Sequence, residues 1–197
     1  MGEPGSPVGA GDGSGRRAGS AVLLPVPQAE PLVSAWRARH DPVAAAGVPA
    51  HISLIVPWIP PPAIHPADLA DLAEVTAGTP CWDFSLTGVS WFGRRVLWLV
   101  PEPAEPFQEL TARLAERFGT LPWDGAFGEV VPHLTVGHAD GDAARLDRVG
   151  EDLTARLPVA CRAEELWVMV ASGRRWAVKA RCPLRRLPVR KPSRHPG

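Results

Sequence analysis

One short pattern occurs twice in this chain, and its two copies restrict the fold more than any other feature. "PAHISLIVP" (49–57) and "VPHLTVGHA" (131–139) each place proline within two residues of a histidine, which is followed by an apolar, a hydroxyl and another apolar residue. Both stretches read as strands, in which residues i and i+2 share a face. His51 therefore stands beside Ser53, and His133 beside Thr135. Ile52, Leu54, Val56, Leu134 and Val136 point the other way, as His138 also should. The copies lie about half the ordered body apart, so the expectation is a chain of two similar halves. Each half would hold one motif strand at the centre of its sheet, with the two polar faces meeting across a cleft.

The rest of the pattern fits mixed α and β structure. Strands are expected at 21–26, 51–56, 81–91, 94–100, 132–139, 165–171 and 174–182. Helices are expected at 29–40, 66–75, 105–118 and 142–157, the third opened by Pro106 and stopped by Gly119. No strict βαβ rhythm appears, which favours α+β with largely antiparallel sheets and helices outside. Residues 1–19 read as a disordered glycine-rich tail and 188–197 as a basic disordered tail, leaving 20–187 as one bilobal domain.

Formal net charge is zero, so no whole-molecule field draws the chain to nucleic acid or membrane. The balance hides a basic C-terminal segment, because all acidic residues lie before residue 173. Cys81, Cys161 and Cys182 are too scattered for a disulfide framework. No signal peptide or membrane-spanning run is visible, and a cytoplasmic monomer is expected. H-E-x-x-H and clustered Cys/His ligands are both missing, so neither metal nor other cofactor is expected.

Two histidines and two hydroxyls around one cleft suit phosphodiester chemistry. Imidazole titrates near neutrality, so one ring can take a proton from a nucleophile while the other supplies one to the leaving oxygen. The hydroxyls can donate to the non-bridging oxygens, where charge builds up.

The paired motif, with "LVSAWRARHDPVAAAGVPAHISLIVPWIPP" and "RVLWLVPEPAEPFQELTARLAERFG…VPHLTVGHA", resembles the two-histidine (2H) phosphoesterase superfamily. Within it, the likeness is to bacterial 2′-5′ RNA ligase-like proteins and RNA 2′,3′-cyclic phosphodiesterases. The resemblance covers about residues 20–185. It implies two pseudo-symmetric lobes flanking a cleft, with His51 and His133 as the acid–base pair and Ser53 and Thr135 as phosphate donors. Ser53 stands where threonine is more usual, which keeps the hydroxyl. The implied activity is metal-independent hydrolysis of a 2′,3′-cyclic phosphate on an RNA end or a nucleotide. A 2′-5′ ligation would be the same chemistry with a ribose hydroxyl in place of water. The alternative is a protein that binds RNA ends or nucleotides in the same cleft without turnover.

Further substrate contacts are expected from Trp58, Trp91 and Phe127, which lie in or beside loops where a base could stack. Trp123 lies in the same kind of position. Arg175 and Lys179 are expected to share a basic strand face with Arg181 beside the cleft. Trp36, Trp98 and Trp167 read as core. Arg37 and Asp41 read as an ion pair that fixes the end of their helix.

Overall fold

A computed structural model describes residues 19–120, 130–141 and 143–186. Both tails, Trp123 and Phe127 lie outside these residues. The described chain forms two four-stranded antiparallel sheets. The first runs in the order β2 (His51–Ile55), β1 (Ser20–Pro25), β7 (Glu165–Ser172), β8 (Arg175–Pro183). The second runs β5 (Leu134–His138), β4 (Val96–Glu102), β3 (Trp82–Phe92), β6 (Val159–Ala163). The helices are α1 (Glu30–His40), a short α2 (Pro42–Ala45), α3 (Pro66–Ala77), α4 (Glu105–Phe118) and α5 (Ala143–Thr154).

The two halves repeat one unit. In the first, β1–α1–β2 leads to a motif strand; in the second, β4–α4–β5 does the same. Each motif strand lies at the edge of its sheet, paired only with the strand that precedes its helix. That corrects the expectation of central strands. The edges are still protected. β2 packs against β5, α1 packs against β5, and α4 packs against β2, so each half's helix covers the other half's motif strand. The crossed packing brings the two motifs together.

α4 shows how the sequence specifies this. Pro106 sits in its first turn and Gly119 ends it at φ 61, a left-handed cap that glycine adopts without a Cβ clash. Its buried face carries Phe107, Leu110 and Leu114. Phe107 is fully buried and meets Phe84 and Trp82 edge-on, at centroid distances of 5.0 and 5.2 Å. One continuous core runs through both sheets, from Val22, Leu24 and Ile52 to Leu97, Leu99 and Leu134. A smaller cluster of Leu23, Val48 and Met169 lies apart from it.

Three β-bulges decide which residues face the motif histidines. In β2, Leu23 pairs with Ser53 and Val22 with Ile55, so Leu54 is an extra residue. Leu54 and Ile55 are both buried as a result, although strict alternation would put Ile55 beside His51. In β5, Trp98 pairs with Thr135 and Leu97 with Gly137, which leaves Val136 extra. The two bulges fall at the same place, one residue after the hydroxyl. The second returns His138, opposite Val96, to the face of Thr135, against the expectation that it alternates away. The third lies in β8, where Met169 pairs with Val178 and Val168 with Ala180. Lys179 occupies this bulge, and the register then places Arg175 on the opposite face from Arg181. The expected shared face of Arg175, Lys179 and Arg181 is therefore split.

Candidate active site

Both motif strands show the burial that the pattern requires. His51, Ser53, His133 and Thr135 are half-buried, whereas Ile52, Leu54, Leu134 and Val136 are buried. The two histidines are held in the same way. His51 Nδ1 lies 2.7 Å from the carbonyl oxygen of Pro49, and His133 Nδ1 lies 2.8 Å from that of Val131. A carbonyl only accepts, so Nδ1 carries the proton and donates, which puts the lone pair of each neutral ring on Nε2. Each bond closes a loop of two residues, so a ring swing would break it. Among the described residues, the Ser53 and Thr135 hydroxyls have no hydrogen-bond partner, and both are therefore available to a ligand.

The chain entering each histidine is braced from its helix, again in parallel. Arg37 of α1 donates from Nη1 to the carbonyl of Val48, three residues before His51, at 3.3 Å. Gln108 of α4 donates from Nε2 to the carbonyl of Val130, three residues before His133, at 3.0 Å. One brace is a cation and the other is neutral. Arg37 is 2% exposed and binds Asp41 Oδ2 through both Nε and Nη2, at 3.1 and 2.8 Å. This is the ion pair expected from the sequence, and Asp41 also caps α2 through Val43 N. Glu30 adds a further clamp, its Oε1 accepting from the Ala50 amide at 2.6 Å. The second half lacks that clamp because Pro132, in the place of Ala50, has no N–H.

These surroundings make the two imidazoles unequal. Burial, and next the Arg37 guanidinium, push His51 down to about 4; the Pro49 carbonyl and Asp41 pull upward, and His133 lowers it further. That last effect places the two rings in each other's field. His133 is also lowered, by burial, against the pull of the Val131 carbonyl. Its burial comes partly from aromatic neighbours. Phe92 meets the ring edge-on at 4.9 Å and stacks on Trp98 at 4.8 Å, and Trp98 stands 5.9 Å from the imidazole. Phe92 was not singled out from the sequence, and Trp98 was read only as core. The strand pairs Trp98–Thr135 and Phe92–Val96 place both on the histidine face.

The other expected contacts fall elsewhere. Trp58 is 5% exposed and packs edge-on against Phe118, inside the core. Trp91 pairs with Leu97, on the face opposite Phe92, and carries Arg94 at 5.5 Å from its ring centre. Arg175 and Lys179 are exposed on β8, the strand of the first sheet farthest from β2. Among the described residues, no three His, Cys, Asp or Glu side chains gather as a metal site would require. No helix among them is long and apolar enough to cross a membrane.

A short repeat was present in the sequence, although in its register Arg37 falls opposite Ala112 and Gln108 opposite Val33, so it marks the helix openings and not the braces. Ala29-Glu30-Pro31 and Ala104-Glu105-Pro106 open α1 and α4, each following the strand that pairs with a motif strand. Aligning them sets Leu23 against Trp98, the central residues of the Ser53 and Thr135 pairings.

Comparison with known proteins agrees with this architecture. Residues 24–175 match the model of the 2′-5′ RNA ligase superfamily. Among solved structures, E. coli LigT in its apo form is similar at a TM-score of 0.53 and 19% identity, covering 86% of this chain and 99% of that one. E. coli LigT complexed with ATP gives 0.50 and 18%, and a protein described as a phosphoesterase gives 0.52 and 17%, each with the same coverage. No curated protein matches the sequence. With most of its length matched and its two H-x-[S/T] strands braced alike against one another, the chain belongs to the 2′-5′ RNA ligase superfamily, the two-histidine phosphoesterases.

Proposed function

We propose that this protein hydrolyses a 2′,3′-cyclic phosphate at an RNA end or on a nucleotide, using His51 as general base and His133 as general acid. The observation that carries this reading is the twin histidine geometry: both rings donate from Nδ1 to their own backbone and keep the lone pair on Nε2, each beside a hydroxyl. His51 Nε2 removes a proton from water as the water oxygen bonds to phosphorus. The bond from phosphorus to one ribose oxygen breaks, and His133 delivers a proton from Nε2 to that oxygen. Ser53 and Thr135 donate to the non-bridging oxygens, whose charge grows in the transition state.

The roles follow from the braces. A base must be unprotonated, and the Arg37 cation behind His51 disfavours its charged form. An acid must be protonated in the complex. The anionic substrate raises both imidazoles, and His133 has the neutral Gln108 rather than a cation behind its lead-in. A ribose hydroxyl replacing water would give 2′-5′ ligation at the same site. The reaction proposed draws on no metal or cofactor. The test is incubation with 2′,3′-cyclic phosphate nucleotides and oligoribonucleotides in EDTA, followed by ³¹P NMR of the product. A single 2′-phosphate isomer supports the reading. Binding of the cyclic end without any product would establish a non-catalytic RNA-end binder instead.

A further inference from the structure

The two motif histidines share their Nδ1 bond but are secured a second time by different means. In the first half, Glu30 holds the Ala50 amide, next to His51, at 2.6 Å. Pro132 removes the equivalent amide before His133. The second half has a pair of rings instead. Phe92 lies 4.9 Å from the His133 imidazole at an interplanar angle of 87°, and Trp98 lies 5.9 Å from it at 65°. The two aromatics stack on each other at 4.8 Å and 22°. Three centre-to-centre distances this similar close a triangle, so the imidazole touches both rings and not one through the other. Among the described residues, His51 meets no aromatic ring.

This pair stands apart from the core. Among the described residues, neither Phe92 nor Trp98 belongs to either hydrophobic cluster, although Trp98 is only 7% exposed. Trp91, one residue before Phe92 and on the other face, does pack on the main cluster. Leu23, which stands in the first half where Trp98 stands in the second, is buried in the smaller one. The hairpin fixes the place of Phe92. It ends β3 opposite Val96, its carbonyl accepts from the Arg95 amide at 2.9 Å, and Gly93 and Arg94 turn the chain at φ 51 and 52. Trp98 pairs with Thr135 and so approaches His133 from the neighbouring strand. The Nδ1 bond to Val131 decides which nitrogen faces the backbone. It leaves the ring free to tilt about that bond, and two rings set across the imidazole plane oppose the tilt.

We infer that Phe92, backed by Trp98, is a positioning residue for His133: the stack holds the imidazole plane so that Nε2 faces the phosphate. It does for the second histidine what the Glu30 clamp does for the first. The inference rests on the reading that His133 delivers a proton from Nε2, and extends it to a residue that acts through His133 and not on the substrate.

Two measurements on the full chain test it, one in the resting protein and one in turnover. Imidazole ¹⁵N NMR reads the tautomer and the titration midpoint of each histidine. In the wild-type protein both should be Nδ1–H tautomers. Phe92→Ala should let the Nε2–H tautomer appear at His133 and raise its midpoint toward the ordinary 6.5, since burial is what lowers it. His51 should keep its tautomer. In turnover, Phe92→Ala should lower kcat about tenfold and Phe92→Leu about threefold, the range of one edge-to-face contact, with KM unchanged. The loss should be equal for adenosine 2′,3′-cyclic phosphate and for methyl riboside 2,3-cyclic phosphate, which carries no base. Phe92→Tyr should restore the rate. Thermal unfolding checks each variant's fold, and if Phe92→Ala unfolds, Phe92→Leu is read by the same measurements. A KM increase confined to the adenosine ligand would make Phe92 a base-stacking surface and overturn the inference. An unchanged His133 tautomer and midpoint beside intact turnover refutes the positioning role alone. A shifted tautomer in a protein that turns over neither ligand upholds the positioning role and refutes only the hydrolytic reading.

Discussion

Replacing the buried pair behind His51 by neutral look-alikes, Arg37→Gln with Asp41→Asn, tests why the two histidines should differ. The double change leaves a neutral side chain behind His51, as Gln108 already is behind the chain that enters His133. Arg37 lowers His51 and Asp41 raises it, with Arg37 the larger influence. Removing both should therefore move the imidazole upward from about 4, toward the ordinary histidine range. His133 should respond only through its coupling to His51, because neither Arg37 nor Asp41 is among the causes of its own shift. The Arg37→Gln change alone leaves Asp41 buried without its cation and should cost about 3–5 kcal/mol. The double change should cost less, because no uncompensated charge remains. Urea unfolding gives the stabilities, and NMR titration of the histidine ring protons gives the two midpoints. A stable double variant with an unmoved His51 midpoint would refute the electrostatic argument and, with it, the assignment of base and acid.

Other expectations follow from single contacts. A Cβ on Gly137 would stand 2.5 Å from the Cβ of His40; Gly137→Ala should therefore cost about 1–3 kcal/mol by overpacking α1 against β5, and a loss below about 0.5 kcal/mol in urea unfolding would contradict that packing. For the free enzyme, kcat/KM should rise as His51 deprotonates through about 4 and fall as His133 deprotonates below its ordinary 6.5, which gives an acidic optimum with midpoints belonging to the coupled pair. Stability should follow the same sign. His51 binds its proton more weakly folded than unfolded, so acidification from about 6.5 to about 4 should cost on the order of 2–3 kcal/mol after screening of the half-exposed ring, a contribution that His51→Ala should remove, leaving the smaller slope of the other lowered histidines.

The motif faces were legible because alternation over three residues needs no tertiary information: His51 and Ser53, or His133 and Thr135, share a side wherever their strands pair. Arg37 and Asp41 were legible for a similar reason, being one helical turn apart. Strand order was not. Whether β2 is an edge or a centre depends on which distant segment pairs with β1, and that partner is β7, more than a hundred residues away. The bulges were invisible because one extra residue reverses every later side chain without altering composition. His138 and Arg175 were each misdirected in this way. β6 was missed because "VACRA" is short and alternates weakly. Trp58 was read from its loop position, yet a loop that closes over α4 can bury its aromatic as fully as a strand does. The braces from Arg37 and Gln108 were not legible because each joins a helix to the chain before its own half's motif strand, a contact that only tertiary packing makes.

The central claim is that His51 and His133 together cleave a cyclic phosphate. Single-turnover cleavage of an oligoribonucleotide ending in a 2′,3′-cyclic phosphate, measured in EDTA with the wild-type protein, His51→Ala and His133→Ala, tests it most directly. Each substitution should slow cleavage by about 10²–10⁴-fold, with binding of the uncleaved end retained. Cleavage that persists at the wild-type rate in either variant, or that stops in EDTA and returns with a divalent ion, would contradict it.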